Sequence, residues 1–217
     1  MSLWESLEAP WRACLEEAWT AYCQGSAPIG AVVLDAGGAI VSRGRSRADE
    51  SGAQGEHLQG HPLAHAETNA LVTFPYDTVE ARTCVLYTTT EPCPLCLGAF
   101  YMSGMREIHY ASRDPYAGSI DLIGATPYMS RKPVIIGGPP SADLETVIAA
   151  WYIESVMPGE PRRAQAVTAV WSDTMPAGAQ LGQALYDSGD LRRLRDGGTT
   201  VAQVVDDLAA RLEQGRA

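Results

Sequence analysis

The stretch TEPCPLCLGAF, residues 90–100, decides the interpretation of the chain, because it holds two of the five cysteines in a C-x-x-C spacing. Such a pair can be a redox couple, half of a structural zinc site or part of a catalytic one. The residues just before it, TCVLYTTT (83–90), are rich in β-branched and aromatic side chains and predict a buried strand. Residues 94–105 predict a helix with proline in its first turn. Cys93 and Cys96 therefore lie at i and i+3 near a helix N-terminus, where both sulfur atoms can face one point and thiolate is favoured.

The other three cysteines do not complete a structural site. A structural zinc would need a second C-x-x-C or two spaced histidines, and Cys14, Cys23 and Cys84 provide neither. The odd number of cysteines and the lack of a basic segment at the start of the chain disfavour a secreted, disulfide-bonded protein. We therefore expect a cytoplasmic protein with reduced thiols.

A second motif, His65-Ala66-Glu67, lies 28 residues upstream of Cys93. A catalytic zinc keeps three protein ligands and leaves its fourth position to water, so His65 can complete a ligand set with Cys93 and Cys96. Glu67 then stands close to the metal without being a ligand, where a carboxylate can take a proton from water and deliver it to a leaving amine. Together the motifs form the H-x-E…P-C-x-x-C pattern of zinc-dependent deaminases. The pair of motifs favours catalytic zinc over a structural site or a redox couple.

Helices and strands alternate along the rest of the chain. Apolar residues at three- and four-residue spacings predict an amphipathic helix over 4–23, and IGAVVLD-AGG-AIVSRG predicts a β-hairpin within 28–44. Residues 45–61 are polar and glycine-bearing, and predict a long loop of the functional or mobile kind. The remaining predicted elements are a helix at 63–74, strands in REIHYAS (106–112) and PVIIGG (133–138), and a helix at 143–156. This alternation predicts an α/β sandwich with helices on both faces of a central sheet.

The composition changes after residue 157. Residues 163–217 contain few aromatic side chains and predict short helices within 177–189 and 199–214. The second of these places a set of apolar residues on one face: Val201, Val204, Val205, Leu208 and Leu212. We therefore predict a catalytic domain over 1–157 and a helical C-terminal extension over 158–217, which packs on that domain or on another subunit.

The charge of the chain disfavours a nucleic-acid partner. With 16 basic and 26 acidic residues, the formal net charge is 16 − 26 = −10. Phosphates would be repelled by that average field, so nucleic-acid binding would require a local basic patch. Arginines and lysines cluster only loosely along the sequence. No apolar stretch approaches the roughly 20 residues that span a bilayer, so no membrane association is expected.

Residues 10–156 resemble the cytidine-deaminase-like superfamily, and are most similar to its branch of guanine deaminases, tRNA adenosine deaminases and fungal-type cytosine deaminases. The segments that carry this resemblance are API-GAVV-L (27–34), AHAE-T-NAL (64–71), LYTTTEPCPLCLGA (86–99) and the RD…AGS run (113–119). The resemblance implies a three-layer α/β/α fold with a mixed five-stranded sheet. It also implies a homodimer, to which the apolar helix at 94–105 could contribute.

The resemblance also implies the chemistry. Zn²⁺ would be bound by His65, Cys93 and Cys96, and Glu67 would carry protons while an amino group on a ring is replaced by oxygen and leaves as ammonia. Backbone amides near Ala66 and Cys93 would help to hold the ring.

The resemblance is less informative about the substrate. Ser46 stands about where this branch commonly has an asparagine that binds the base, and a serine hydroxyl cannot present an amide's paired donor and acceptor. Asn69, Asp114 and Asp121 are further candidates for the pocket, with helix-capping or loop roles as the alternative. Recognition of the ring is therefore the least transferable property.

Three functions are compatible with these observations. The leading hypothesis is a hydrolytic deaminase of a small heterocycle, a nucleobase, nucleoside or related ring, with a purine such as guanine favoured. A tRNA adenosine deaminase is the alternative, disfavoured by the acidic chain and by a C-terminal helix without basic character. A non-catalytic, zinc-stabilised binding module is the third hypothesis, and Glu67 argues against it because a structural site has no use for that carboxylate.

Overall fold

The computed structural model describes residues 1–51 and 55–216, which are built around a five-stranded sheet. The strands are Gly30–Leu34 (β1), Ile40–Arg45 (β2), Val85–Thr90 (β3), Glu107–Ser112 (β4) and Ile135–Gly137 (β5). Their order in the sheet is β2-β1-β3-β4-β5. β1 runs antiparallel to both β2 and β3, while β3, β4 and β5 run parallel to one another. The predicted mixed sheet is therefore confirmed.

Helices cover both faces of the sheet. Those in the described ranges are Leu3–Ser6 (α1), Ala9–Cys23 (α2), Ala66–Val72 (α3), Pro94–Ser103 (α4), Ala142–Val156 (α5), Pro161–Thr174 (α6), Pro176–Ser188 (α7), Asp190–Asp196 (α8) and Val201–Arg216 (α9). Successive side chains of a strand point to opposite faces. Ala31 and Val33 of β1 accordingly pack with α3 and α4, whereas Val32 and Leu34 pack with α2. The three-layer arrangement is thus confirmed. Of these helices, none is both long and apolar enough to cross a bilayer.

The N-terminal helix differs from the prediction. A single helix over 4–23 was expected, but the chain forms two, with Leu7 in an extended conformation between them. Ser2 and Glu5 form a capping box that completes the short α1. Pro10 lies in the first turn of α2, where its missing N–H costs nothing but where a continuous helix would lose a hydrogen bond. The prediction of one uninterrupted helix is therefore wrong.

Glycine at position 44 lets α3 lie directly on the sheet. A Cβ atom built on Gly44 of β2 would collide with the carbonyl of Ala66 and the backbone nitrogen of Ala70. No other residue could occupy this position without moving the helix. Gly44 therefore sets how close the N-terminus of α3, with His65 and Glu67, lies to β2.

The C-terminal helices pack on the sheet domain rather than standing apart. The predicted apolar face of α9 is buried in one cluster with residues of α2, α5, α7 and α8. Trp19 of α2 also donates through Nε1 to the carbonyl of Thr199, 3.0 Å away. The helices predicted within 177–189 and 199–214 correspond to α7 and α9, while the domain boundary at 157/158 stays a prediction.

Candidate active site

Two helices begin at the same point, beside the carboxyl end of β3. His65 immediately precedes α3, Cys93 immediately precedes α4, and Cys96 lies in the first turn of α4. The helix predicted over 63–74 is shorter than expected, so His65 lies at the position just before its first residue instead of within it. The first N–H groups of a helix have no intrahelical partner, so both helix N-termini favour negative charge at this point.

His65, Cys93 and Cys96 form a compact donor set. His65 Nδ1 lies 3.5 Å from Cys93 Sγ and 3.3 Å from Cys96 Sγ, and the two Sγ atoms are 3.6 Å apart. Donors bound to one tetrahedral zinc at about 2.1–2.3 Å would be roughly 3.5–3.8 Å apart. The donor set therefore fits Zn²⁺. Cys96 is buried, whereas His65 and Cys93 are partly exposed, so the site is open on one side.

Hydrogen bonds within the donor set shift the pKa values of all three donors. The thiol of Cys96, together with the ring of His65, lowers the pKa of Cys93 to about 4 through hydrogen bonds. The same hydrogen bond with Cys93, together with burial, raises the pKa of Cys96. The hydrogen bond between the His65 ring and Cys93 raises the pKa of His65, and the same ring bonds to the backbone of Pro62. A backbone partner such as Pro62 orients an imidazole that binds a metal. A bound cation would displace the protons that the three donors share.

The carboxylate of Glu67 lies against the donor set. Its Oε2 is 3.2 Å from Cys96 Sγ, and its Oε1 accepts a 3.1 Å hydrogen bond from Thr88 Oγ1. Glu67 is only 4% exposed, and this burial raises the pKa of its carboxyl. A buried acid with a raised pKa beside a metal-type site is suited to take up and release a proton.

Thr88 is not among the candidates drawn from the sequence, although the pattern held a signal for it. Residues on one face of a strand recur every second position, and Thr89 points to the opposite face, where its Oγ1 accepts from Gly30 N. Thr88 must then face α3, which carries Glu67. The run of three threonines at 88–90 made it harder to recognise, from the sequence, which hydroxyl contacts Glu67.

Ser46, Ala66 and Asn69 all lie where β2, the long loop and α3 meet. Ser46 follows β2 and is buried, with its N–H donating to the Ile29 carbonyl. Ala66, also buried, is the first residue of α3. The Asn69 amide is engaged by backbone: Oδ1 accepts from Leu58 N at 2.7 Å, and Nδ2 donates to the carbonyls of Arg45 and Leu58. Asn69 therefore ties the described part of the loop to β2.

The two candidate acids after β4 have different environments. Asp114 is buried and accepts from the N–H groups of Tyr116 and Ala117, and burial raises the pKa of its carboxyl, with Cys93 adding to the effect. Asp121 is exposed in a 3₁₀ turn, Ile120–Leu122. Glu91 fixes this segment, since its carboxylate accepts from the N–H groups of Asp114 and Ile120.

Arginines near the site are paired with acids of the same chain. Arg45 at the end of β2 forms an ion pair with Glu50, and Arg113 after β4 places Nε 2.7 Å from Glu145 Oε1. Residues 52–54 of the predicted 45–61 loop lie outside the described residues. Among the described residues, Arg45 and Arg113 are therefore each neutralised by an acid of the same chain.

Residues 5–112 match the protein family described as the cytidine and deoxycytidylate deaminase zinc-binding region. Among individual proteins, the chain is 33% identical to guanine deaminase of Bacillus subtilis over 105 residues, 45% of this chain and 62% of that protein. It is 34% identical to tRNA(Ile)-lysidine synthase of Deinococcus radiodurans over 145 residues, 65% of this chain but 22% of that protein. It is also 32% identical to tRNA-specific adenosine deaminase of Haemophilus influenzae over 111 residues, 50% of this chain and 60% of that protein. The chain thus spans less than two thirds of each of these three proteins.

Solved structures show the same fold. A structure from a study of tRNA:A34 deaminases aligns with a TM-score of 0.50 at 25% identity, covering 59% of this chain and 95% of that one. Guanine deaminase from Nitrosomonas europaea aligns with a TM-score of 0.51 at 21% identity, covering 69% of this chain and 85% of the other. At that identity the second likeness concerns the fold alone.

Proposed function

Because residues 5–112 of this chain belong to the cytidine-deaminase-like superfamily of zinc deaminases, we propose that the protein is a zinc-dependent hydrolytic deaminase of an aminated heterocycle. In this reaction a ring carbon loses its amino group and gains an oxygen from water, and the amino group leaves as ammonia. One observation carries the proposal. The buried carboxylate of Glu67 lies 3.2 Å from a sulfur of the zinc-type donor set, where a purely structural site would have no use for it.

His65, Cys93 and Cys96 are the residues that would hold the zinc. When bound, Zn²⁺ would activate a water as a nucleophile near neutral pH. The chain contributes the geometry: His65 and Cys93 directly precede two helices, Cys96 lies in the first turn of one of them, and the backbone of Pro62 contacts the His65 ring. His65 and Cys93 are partly exposed, so we expect water and a flat ring to approach the donor set from that side.

We assign the transfer of protons to Glu67. Its Oε2 faces the donor set, and its raised pKa lets it accept a proton from the attacking water and pass that proton to the departing amino group. Thr88 holds the other carboxylate oxygen and so keeps Oε2 directed at the site. Thr88 is thus a positioning residue.

A purine such as guanine is the ring that we favour. The similarity to guanine deaminase of B. subtilis supports this choice, and so do the ion-paired arginines beside the site, which suit an uncharged ring better than a phosphate. We propose that Ser46, the backbone of Ala66 and Asp114 line the pocket. Asn69 would act through the loop that it anchors, and Asp121 through the segment after β4.

We also propose that the protein forms a homodimer through the outer face of α3 and α4. This face exposes large apolar side chains, among them Val72 at 55% and Met102 at 66% exposed. Monomeric proteins rarely leave such groups together in water. The predicted contribution of the 94–105 helix to a subunit contact is consistent with this arrangement.

A tRNA adenosine deaminase is the second candidate, favoured by the similarity to the H. influenzae enzyme of that name. One experiment separates the hypotheses. The purified protein is assayed for zinc per chain and for ammonia release from free bases, nucleosides, triazine-like rings and an anticodon stem-loop. We expect one zinc and turnover of a free purine. Turnover of the stem-loop alone would favour the second candidate, and bound zinc without turnover of any ring would leave only a binding module.

A further inference from the structure

Four cationic side chains gather at the end of the sheet opposite the donor set. Arg82 lies just before β3, Arg106 just before β4, and Arg131 and Lys132 shortly before β5. Because these strands run parallel, their starting points share one edge of the sheet. Cys93, in contrast, follows the carboxyl end of β3. We call these four residues the basic edge. Helix α4, about 15 Å long, runs from the donor set toward the basic edge.

Neutral groups hold three of the four cations of the basic edge in place. Lys132 Nζ donates to the Tyr101 carbonyl at 3.2 Å and lies 4.8 Å from the centroid of the Tyr101 ring. The Arg131 guanidinium lies 5.6 Å from the ring centroid of Tyr128. Arg106 donates to a backbone carbonyl. Rings and carbonyls orient a cation without cancelling its charge.

Within the part of the chain that the structure describes, none of these four cations has a carboxylate at ion-pair distance. Most other arginines there do have one, namely Arg43, Arg45, Arg47, Arg113, Arg192, Arg193, Arg195 and Arg211. Desolvation and the guanidinium groups of Arg106, Arg131 and Arg82 lower the pKa of Lys132, so each of these three charges lies within electrostatic range of Lys132. In a chain of net charge −10, such a cluster is a local reversal of the average field.

We propose that the basic edge is a docking surface for the phosphate backbone of an RNA. Four cations contributed by three separate segments match a chain of regularly spaced phosphates, whereas a small anion would reach only one or two of them. Tyr128 is 43% exposed beside these cations and carries the Arg131 guanidinium over its ring, so a cation and an aromatic side chain lie together, the usual combination in single-strand binding. The inference goes beyond the proposed deamination, because this surface is separate from the donor set.

The test measures binding of a short, fluorescently labelled single-stranded RNA by anisotropy, from about 50 to about 200 mM salt. For four phosphate contacts we expect a slope of log affinity against log salt of about −3, and for Arg131→Ala/Lys132→Ala a slope smaller by about 1.4. That double variant should also bind roughly tenfold or more weakly at the low salt concentration. The control variant, Arg162→Ala/Arg163→Ala, removes the same charge from α6 and should bind like the wild type.

Several results would overturn the proposal. These are absent binding at low salt, an equal loss in the control variant, or equally tight binding of a poly-glutamate peptide, which would indicate an acidic protein partner. Loss of a homodimer in sedimentation of Arg131→Ala/Lys132→Ala would instead identify the basic edge as a subunit contact. Unchanged thermal unfolding and unchanged ammonia release from a free base would show that this variant is folded and that docking is separate from turnover.

Discussion

At the scale of single residues, the site depends on one carboxylate whose environment differs from that of an ordinary surface acid. Glu67 is buried, has a raised pKa and touches both the donor set and Thr88. A general acid–base group typically contributes about 10²–10⁴-fold to the rate. Loss of this side chain should therefore affect the proposed reaction more directly than loss of any residue of the pocket.

Glu67→Gln should retain zinc and lose ammonia release by about 10²–10⁴-fold, because an amide keeps the shape of the side chain but cannot carry the proton. Metal content per chain and steady-state rates on the same preparation check this result. The assay is informative because zinc retention shows that the donor set is intact. Turnover close to the wild-type rate would remove Glu67 from the mechanism and reassign it to a structural role.

Thr88→Val should lower kcat by roughly tenfold or more and leave KM nearly unchanged, since a hydrogen bond to a charged group is worth about 1.5–3 kcal/mol. The methyl group preserves the packing, so thermal stability should change little. Thr88→Ser is the matched control, because it restores the hydroxyl and should restore kcat. If serine fails to do so, the contact between Thr88 and Glu67 acts through packing alone.

At the scale of helices and strands, the position of α3 is set by a residue with no side chain. Gly44→Ala would press a methyl group into the backbone of Ala66 and Ala70 and should cost about 1–3 kcal/mol of unfolding free energy, with weaker zinc binding. Gly98→Ala is the control, because a Cβ on this glycine of α4 meets nothing within 4 Å and alanine favours a helix. Urea unfolding and zinc titration measure both. Equal stability of the two variants would mean that α3 can shift freely.

The elements show what a sequence can and cannot predict here. The hairpin, β3 and α4 were predicted because each has a local pattern: alternation, β-branched runs, or proline at a helix start. The break at Leu7 was missed because the apolar spacing continues through it, although the capping box of Ser2 and Glu5 and the position of Pro10 both signal a separate helix.

The site and the basic edge also differ in how far the sequence alone predicts them. His65, Glu67, Cys93 and Cys96 belong to two short motifs whose spacing carries chemical meaning. The basic edge combines Arg82 and Arg106 with Arg131 and Lys132, a pair that begins 25 residues after Arg106. Only the parallel pairing of β3, β4 and β5 brings these residues together. No local pattern records such a juxtaposition.

A buried acid between α2, α5 and α8 makes stability depend on pH. Glu154 accepts from Tyr22 Oη and pairs with Arg192, both at 2.9 Å, yet burial raises its pKa above the unfolded value of 4.5. A raised folded pKa contributes stability that is present below about pH 4.5 and lost as the pH rises through the folded pKa. Glu154→Gln does not titrate, so the stability of wild type relative to this variant should fall as the pH rises above 4.5. Urea unfolding at several pH values tests the sign, and a difference that grows with pH would contradict it.

At the scale of the whole molecule, the C-terminal extension and the sheet domain share one core. Leu208 of α9 is fully buried in the cluster that also contains Trp151 of α5 and Leu15 of α2. A chain ending at residue 157 would expose this surface to water. We therefore expect residues 1–157 alone to aggregate or to bind hydrophobic dyes, and not to unfold cooperatively.

Leu208→Ala in the full chain tests the shared core without truncation. Removal of a buried leucine side chain should cost about 2–5 kcal/mol, and the loss should appear in one transition because the helices of both segments contact the same cluster. Val170→Ala is the control, since Val170 lies on α6 of the extension and is 36% exposed. Unfolding followed by tryptophan fluorescence and by loss of ammonia release should give coincident midpoints for the wild type and both variants. A lower fluorescence midpoint with an unchanged activity midpoint in Leu208→Ala would mean that the extension unfolds independently. The core that α9 shares with α2 and α5 would then not stabilise the site at the other face of the sheet.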